Sequence, residues 1–377
     1  MGMKVELNEE QVRLKNEFLE FSEKEIAPYA EEHDREEKLK TEVIETLKES
    51  GYLGGLLPKK YGGLNLDMVS LGILNEEIGK GCGSVRTLLT VHGMVSLGIL
   101  RWGTDAQKEY WLPKLSKGEI IGAFGLSEEN VGSDAKSIET EATFNNGHYT
   151  LNGIKKWITM GQIADVFLIY ASVEGQPTAF LVERDTQGFS IEPMHGLLGT
   201  RGAMIAKLHM SDCKIPKENL VGLHGSGLSH VGLTCLDYGR YTVAWGCIGT
   251  AQACLEKSID YANKREQFGS PIADNQLVQK MITEMITEIK AARLLCYRAG
   301  YLKEISDPES ILETWVAKYF SSKMVNRVAS NAVQIHGGNG CYKEYGIERL
   351  FRDAKINEII EGTTQIHEVL IAKNFSI

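Results

Sequence analysis

A chain whose hydrophobic periodicity switches twice must fold as more than one kind of layer. This one switches near residue 119 and again near residue 222. Before the first switch, apolar residues fall at helical spacing, as at Leu14, Phe18 and Phe21. Asn8, ahead of Glu9 and Glu10, is placed to cap the first helix, and Pro28 to bend or end it. The run PKKYGG at residues 58–63 reads as a turn, with helices resuming from about Met68. Between the switches, short apolar or alternating runs (residues 120–126, 148–152, 166–171 and 179–182) are separated by Gly, Asn and Asp turns. That pattern predicts strands and hairpins. From Leu228 onward, long amphipathic stretches return at residues 228–263, 274–303 and 308–335. The expectation is an α+β multidomain chain, helical over 1–118, β over 119–222 and helical again over 223–377.

Composition removes several function classes. A hydrophobic share of 43% and a charged share of 24% are those of an ordinary soluble globular protein. The net charge of −9 argues against a nucleic-acid partner, which calls for a basic face. The start, MGMKVELNEEQ, lacks the apolar core of a signal peptide, and runs such as residues 120–126 are too short to span a bilayer, so no membrane partner is expected. Seven cysteines without a CxxC pair suggest neither a disulfide framework nor a zinc site; no metal is expected, and the thiols read as reduced in the cytoplasm. Neither GxGxxG nor GK[ST] occurs, which disfavours NAD in a Rossmann domain.

The chemistry concentrates near the C-terminus. Residues 331–368 read NAVQIHGGNGCYKEYGIERLFRDAKINEIIEGTTQIHE, with Gln334, the pair Gly337-Gly338, and Glu361 just ahead of Gly362-Thr363-Thr364. This stretch resembles the C-terminal signature of the acyl-CoA dehydrogenases, which remove two hydrogens from an acyl thioester using FAD. The resemblance extends over nearly the whole chain, including PKKYGGLNLD and WGTDAQKEYWLPKLSKGE. It implies a helical N-terminal domain, a middle β-barrel-like domain and a C-terminal four-helix bundle. It makes Glu361 the base that takes the α-proton, with Gly362 on the substrate and Thr363 and Gln365 on the cofactor. A carboxylate is too weak a base in water and must be desolvated. Ile359, Ile360 and Ile366 would help, although the family often has Tyr at the position of Ile360. Some relatives place the base on the helix carrying residues 236–240, where this chain has Gly239, which cannot act as one.

Three further segments resemble the family's flavin elements. GLSEENVGSD (residues 125–134) is similar to its flavin loop: Gly132, Ser133 and Asp134 match, Ser127 stands for Thr, and Glu129-Asn130-Val131 depart. Leu126, Ser127, Gly132 and Ser133 are thereby implied in FAD binding, Ser133 also on the substrate side. In Trp157-Ile158-Thr159 the resemblance implies a ring beside the isoalloxazine and a hydroxyl at flavin N5, where hydride arrives; Met160 replaces a common Asn. Arg265-Glu266-Gln267-Phe268-Gly269 with Gln276 resembles a segment in which Arg binds the pyrophosphate and Phe flanks the adenine. In the family, the counterparts of Arg265, Gln334 and Gly338 reach FAD held by a neighbouring subunit, so a homodimer or homotetramer is implied.

The expected substrate is an acyl thioester on CoA or a carrier protein, and the expected electron acceptor is an electron-transfer flavoprotein. Arg240 matches an Arg near the base, and His92 is a candidate for the acyl pocket. Residues 238–247, the motif EIIEG and Ser84-Val85-Arg86 resemble a narrower branch, the carrier-protein dehydrogenases of hydroxy-, alkoxy- and aminomalonyl extender units in polyketide pathways. There the acyl group is short and polar. Trp245 would shorten the pocket, and Arg86 or Arg240 would pair with a substrate oxygen. The alternatives are a short-chain acyl-CoA dehydrogenase of fatty-acid or amino-acid catabolism, an oxidase using O₂ on the same fold, or a helical protein that docks a carrier without catalysis.

Overall fold

The computed structural model describes residues 6–375. Asn8 caps α1 (Glu9–Phe21) in a reciprocal capping box with Gln11. The helix then unwinds through a π turn and a 3₁₀ turn that holds Pro28 before α2 (Ala30–Glu36). After α3 (Thr41–Glu49) come α4 (Met68–Gly81), α5 (Gly83–Trp102) and α6 (Asp105–Ser116). α5 is apolar and long enough to cross a membrane, yet 89% of its apolar window is buried within the protein. It is the core helix from which the site is built.

The middle of the chain forms one eight-stranded mixed sheet. Its strands are β1 (Gly122–Gly125), β2 (Glu141–Asn145), β3 (His148–Ile158), β4 (Val166–Val173), β5 (Gln176–Glu183), β6 (Phe189–Pro193), β7 (Ala206–Pro216) and β8 (Leu220–Val221). The order is β6-β7-β3-β2-β4-β5-β8, with β1 parallel to β4. β3 and β7 pair over their length with two register shifts, one of them between Lys155 and Ile158. That irregularity turns Trp157 outward.

Three long helices, α7 (Leu233–Lys264), α8 (Gln276–Glu304) and α9 (Ser310–His336), form the C-terminal bundle, with α10 (Ile347–Ile356) and α11 (Thr364–Asn374) laid on it. A short hairpin, β9 (Glu266–Gln267) and β10 (Ser270–Pro271), joins α7 to α8. α7 lies against α4 at backbone distance: a Cβ on Gly79 would come within 3.0 Å of the Gly246 backbone, and one on Gly249 would strike the carbonyl of Glu76. Glycine is required there for space, because no rotamer relieves a clash with backbone. Gly249→Ala should therefore force the two helices apart and cost about 1–3 kcal/mol, seen as a lowered thermal unfolding midpoint of the holoprotein.

Candidate active site

Glu361 sits in the irregular link between α10 and α11. Its backbone is left-handed (φ 55°), as is that of Gly362 (φ 95°), and Thr363 caps the following helix. A non-glycine residue in this region stores strain of roughly 1–3 kcal/mol and persists only where its surroundings hold it. Two buried cations do so through successive carbonyls. Arg240 Nε donates to the Glu361 carbonyl at 3.1 Å, and Lys318 Nζ donates to the Gly362 carbonyl at 2.7 Å. The carboxylate is thus aimed while neither cation is paired with it.

That carboxylate lies directly over Gly239 of α7, where any Cβ would collide with Glu361 Oε2. Position 239 and the Glu361 side chain therefore compete for one space, so glycine is what lets Glu361 point there. Oε2 is enclosed and has no hydrogen-bond partner among the described residues. Burial pushes the Glu361 pKa up to about 7, against the lowering pull of Arg240, Lys318 and Arg86. The Glu361 N–H likewise donates no hydrogen bond to a described residue. A base near neutrality beside a free amide donor suits proton abstraction next to a carbonyl.

Further along α7, residues at i, i+3 and i+7 share one face. Thr242 Oγ1 donates to the Gly239 carbonyl and meets Thr90 Oγ1, each at 3.0 Å. Arg86 Nη1 donates to Thr90 at 3.1 Å and Nη2 to Asn357 Oδ1 at 3.3 Å, while its side chain crosses Gly246. A cleft of about 540 Å³ adjoins the site, lined in part by Leu97, Asp237, Tyr238, Arg240 and Trp315. Asp237 is ion-paired with Lys303 through one oxygen, and its other oxygen is buried without a partner among the described residues.

Two expectations for the acyl pocket are corrected. His92 is fully buried and engaged on both nitrogens, Nε2 with the Leu115 carbonyl at 2.9 Å and Nδ1 with the Gly122 N–H at 3.3 Å. Burial drives its pKa down to about 4, so it is a neutral structural imidazole. Trp245 is fully buried against Gly72, Tyr241 and Tyr297, on a face of α7 turned away from the Gly239–Thr242–Gly246 stripe. Six residues along a helix is roughly 240° of rotation, so Trp245 fills the core between α7, α4 and α8.

Two of the three flavin elements meet at the C-terminal end of β3. The Ser127 carbonyl accepts from the Lys156 N–H at 2.9 Å, which ties the loop of residues 125–134 to the end of β3. The loop is held from beneath by a pair unforeseen in the sequence. Glu128 and Lys155, both buried, bond at 2.6 Å, and the same carboxylate accepts from the Glu139 and Thr140 N–H groups and the Thr140 hydroxyl. Lys155 also donates to the Leu126 carbonyl at 3.2 Å. Beside this loop Trp157, left-handed at φ 64°, leaves 51% of its surface exposed, with Thr159 half-buried next to it. A Cβ on Gly132 would meet nothing within 4 Å, and Ser133 is exposed. An exposed indole held out by strained backbone, next to an open loop of hydroxyls and amides, fits a planar, hydrogen-bonding ring system such as a flavin.

Arg265, Phe268, Gln276, Gln334, Gly338 and Gln365 are exposed, Phe268 completely. None of the described hydrogen bonds or ion pairs of these residues reaches the Trp157 shelf. Sequence reasoning also missed Lys318, Asn357 and Thr90. Lys318 shares the inward face of α9 with Thr314, Ala317 and Ser321, and a lysine in phase with small buried residues was the available signal.

Known proteins agree with this geometry. Three family models match in succession: the acyl-CoA dehydrogenase N-terminal domain over residues 8–119, the middle domain over 123–213 and the C-terminal domain over 225–376. The chain belongs to the acyl-CoA dehydrogenase family and is an FAD-dependent oxidoreductase. It is 38% identical to the acryloyl-CoA reductase (NADH) of Anaerotignum propionicum over 98% of this chain and 95% of that one. It is 36% identical to the mitochondrial short-chain specific acyl-CoA dehydrogenase of Rattus norvegicus, covering 98% and 90%. Butyryl-CoA dehydrogenase from Megasphaera elsdenii superposes with a TM-score of 0.95 at 35% identity over all of both chains. A chain from the structural work on the electron transferring flavoprotein of Acidaminococcus fermentans gives 0.95 at 36%, covering 99% of each. The prolyl acyl carrier protein oxidase AnaB also gives 0.95, at 29%, over 99% of this chain and 100% of that one.

If the ionised Glu361 carboxylate takes the proton, substrate-dependent flavin reduction should rise with pH through about 7 and level off above it. Lys318→Met removes a cation that lowers the Glu361 pKa, so the midpoint of the profile should move to higher pH in stopped-flow measurements. A midpoint unmoved by the substitution would uncouple Lys318 from the titration of Glu361.

Proposed function

We propose that the protein dehydrogenates short-chain acyl thioesters, with Glu361 as acceptor of the α-proton. The observation that carries this reading is the Glu361 carboxylate, enclosed, unpartnered and poised near neutrality over Gly239. The thioester arm would lie in the 540 Å³ cleft, where the free oxygen of Asp237 offers an acceptor to an amide of the arm. The free Glu361 N–H would donate to the thioester carbonyl and stabilise negative charge as the α-proton leaves for the carboxylate. Bound FAD supplies the hydride acceptor for the β-hydrogen. On this chain Ser127, Gly132, Ser133, Trp157 and Thr159 would hold the isoalloxazine end, with Leu126 and Thr363 beside it. Exposed Arg265, Phe268, Gln276, Gln334, Gly338 and Gln365 would reach FAD of a neighbouring subunit in a homodimer or homotetramer. Electrons would pass on to an electron-transfer flavoprotein in the cytoplasm.

Short acyl groups are favoured because the Arg86–Thr90–Thr242 network places polar groups where a long chain would have to be buried. The similarity to short-chain and butyryl-CoA enzymes supports the same preference. A second reading, a short polar acyl group on a carrier protein in extender-unit biosynthesis, draws on that polar floor and on the likeness to AnaB.

Anaerobic titration of the yellow holoprotein distinguishes these readings. Butyryl-CoA should bleach the flavin, octanoyl-CoA should do so weakly, and faster bleaching by carrier-bound three-carbon hydroxy- or aminoacyl groups would select the second reading. Glu361→Gln should retain FAD and lose on the order of 10²–10⁴-fold in reduction rate; a loss of only a few-fold would place the base elsewhere. Arg265→Ala should weaken FAD retention on gel filtration, through loss of charge-assisted bonds worth about 1.5–3 kcal/mol each, and unchanged retention would remove the cross-subunit role.

A further inference from the structure

The Glu361 carboxylate and the Trp157–Thr159 shelf stand on different parts of the chain, and one loop is bonded to both. Residues 194–205 join β6 to β7. On the sheet side, the carbonyls of Ala203 and Met204 accept from the N–H groups of Met160 and Gln162 at 2.9 and 3.2 Å, just beyond Thr159. On the other side, the Thr200 N–H donates to buried Asp353 of α10, and Arg352 Nη1 donates to the Leu198 carbonyl at 3.0 Å. A Cβ on Gly199 would meet the Arg352 carbonyl oxygen at 2.4 Å, so loop and helix touch backbone to backbone. Hydrogen-bonded turns continue past α10 to Ile360, the residue before Glu361. One side chain holds the loop at two points. Glu37, at the C-terminal end of α2, accepts from the Gly196 N–H at 2.8 Å through Oε2 and from the Arg201 guanidinium through Oε1. Its side chain is 14% exposed, and neither it nor Arg201 lines the cleft. Its backbone is left-handed (φ 52°), at a helix end where glycine sits without strain. A glutamate held there against backbone strain points to a role for its side chain.

The α-proton and the β-hydrogen leave from opposite faces of the acyl group, so the gap between carboxylate and shelf must match the substrate held between them. A misplacement of about 1 Å costs on the order of 10²-fold in rate. Resting on the dehydrogenase reading above, we propose that Glu37 is a positioning residue: by pinning the loop of residues 194–205 it fixes the spacing between Glu361 and the Trp157–Thr159 shelf. It acts at a distance, through Thr200 and Asp353 toward Glu361 and through Ala203 and Met204 toward the shelf. Loosening the loop should therefore slow the chemical step while leaving ligand binding in place.

The test uses the FAD-loaded protein and separates rate from binding. Glu37→Gly removes the side chain and suits the left-handed backbone, so the fold should persist. Its flavin reduction by a saturating short acyl-CoA such as butyryl-CoA should be about 10–100-fold slower in stopped flow, with FAD retained. Acetoacetyl-CoA, which is not dehydrogenated, should bind with a Kd within about threefold of that of the unsubstituted protein. The long-wavelength charge-transfer band of its enolate against the oxidised flavin should weaken, because that band reads the spacing between ring and ligand. Glu37→Gln, which keeps an acceptor for the Gly196 N–H, should fall between the unsubstituted protein and Glu37→Gly. Arg201→Gln should reproduce the slowing, and the double variant should be no more than about twofold slower than the slower single one, since both cut the same tie. Reduction in Glu37→Gly within about twofold of the unsubstituted rate, or a fall in kcat/KM that lies wholly in ligand affinity, overturns the proposal. If Glu37→Gly does not fold, Arg201→Gln decides it by the same readouts. Bleaching of the unsubstituted protein with unslowed variants defeats this inference alone, whereas no bleaching by any thioester defeats the dehydrogenase reading as well.

Discussion

Everything at the site depends on keeping one carboxylate dry without pairing it. An ion pair would hold Glu361 ionised and unreactive, and full isolation would leave it protonated at neutral pH. The structure avoids both outcomes by directing Arg240 and Lys318 to the carbonyls of residues 361 and 362. The cations act on the carboxylate through space while their bonds fix the left-handed backbone that aims it. Burial raises the basicity, and the two side chains that fix the position, on helices distant in sequence, also moderate it.

The flavin side shows the same economy of means. Its loop departs from the family pattern at Glu129-Asn130-Val131, yet the residue just before that stretch, Glu128, gathers two N–H groups, a hydroxyl and the Lys155 ammonium beneath the loop. With its bonding capacity filled, this buried pair holds the loop to β3, whereas removing one member would strand a buried charge at a cost of about 3–5 kcal/mol. The irregular pairing of β3 with β7 then turns Trp157 out of the sheet. Loop and ring are separate in sequence and are brought together by β3.

Glycines on α7 tie the helical framework to specificity. Gly249 admits the backbone of α4, Gly239 admits the Glu361 carboxylate, and Gly246 admits the Arg86 side chain. A helix with three such gaps on its surface loses intrinsic helix propensity, about 1 kcal/mol per glycine relative to alanine. The packing of α4, α8 and α9 against α7 compensates. Trp245, on another face of the same helix, belongs to that packing and so does not shape the acyl pocket.

The sequence by itself determined the order of helical, β and helical regions, because periodicities of 3.6 and 2 are local properties that survive without tertiary contacts. It also singled out Glu361, which stands in a run whose neighbours all resemble one family signature and which the fold encloses. It found β1, β3, β4 and β5, whose alternating or apolar runs stand out, and missed β2, β6 and β7, where exposed charged and polar residues interrupt the pattern, and the two-residue β8. Only the tertiary structure decided which polar residues are buried together. Glu128 with Lys155, Lys318 with Gly362, and Arg86 with Asn357 are separated by 27, 44 and 271 residues. No local pattern encodes such pairings, because burial of a charge is set by what other segments of the chain pack around it.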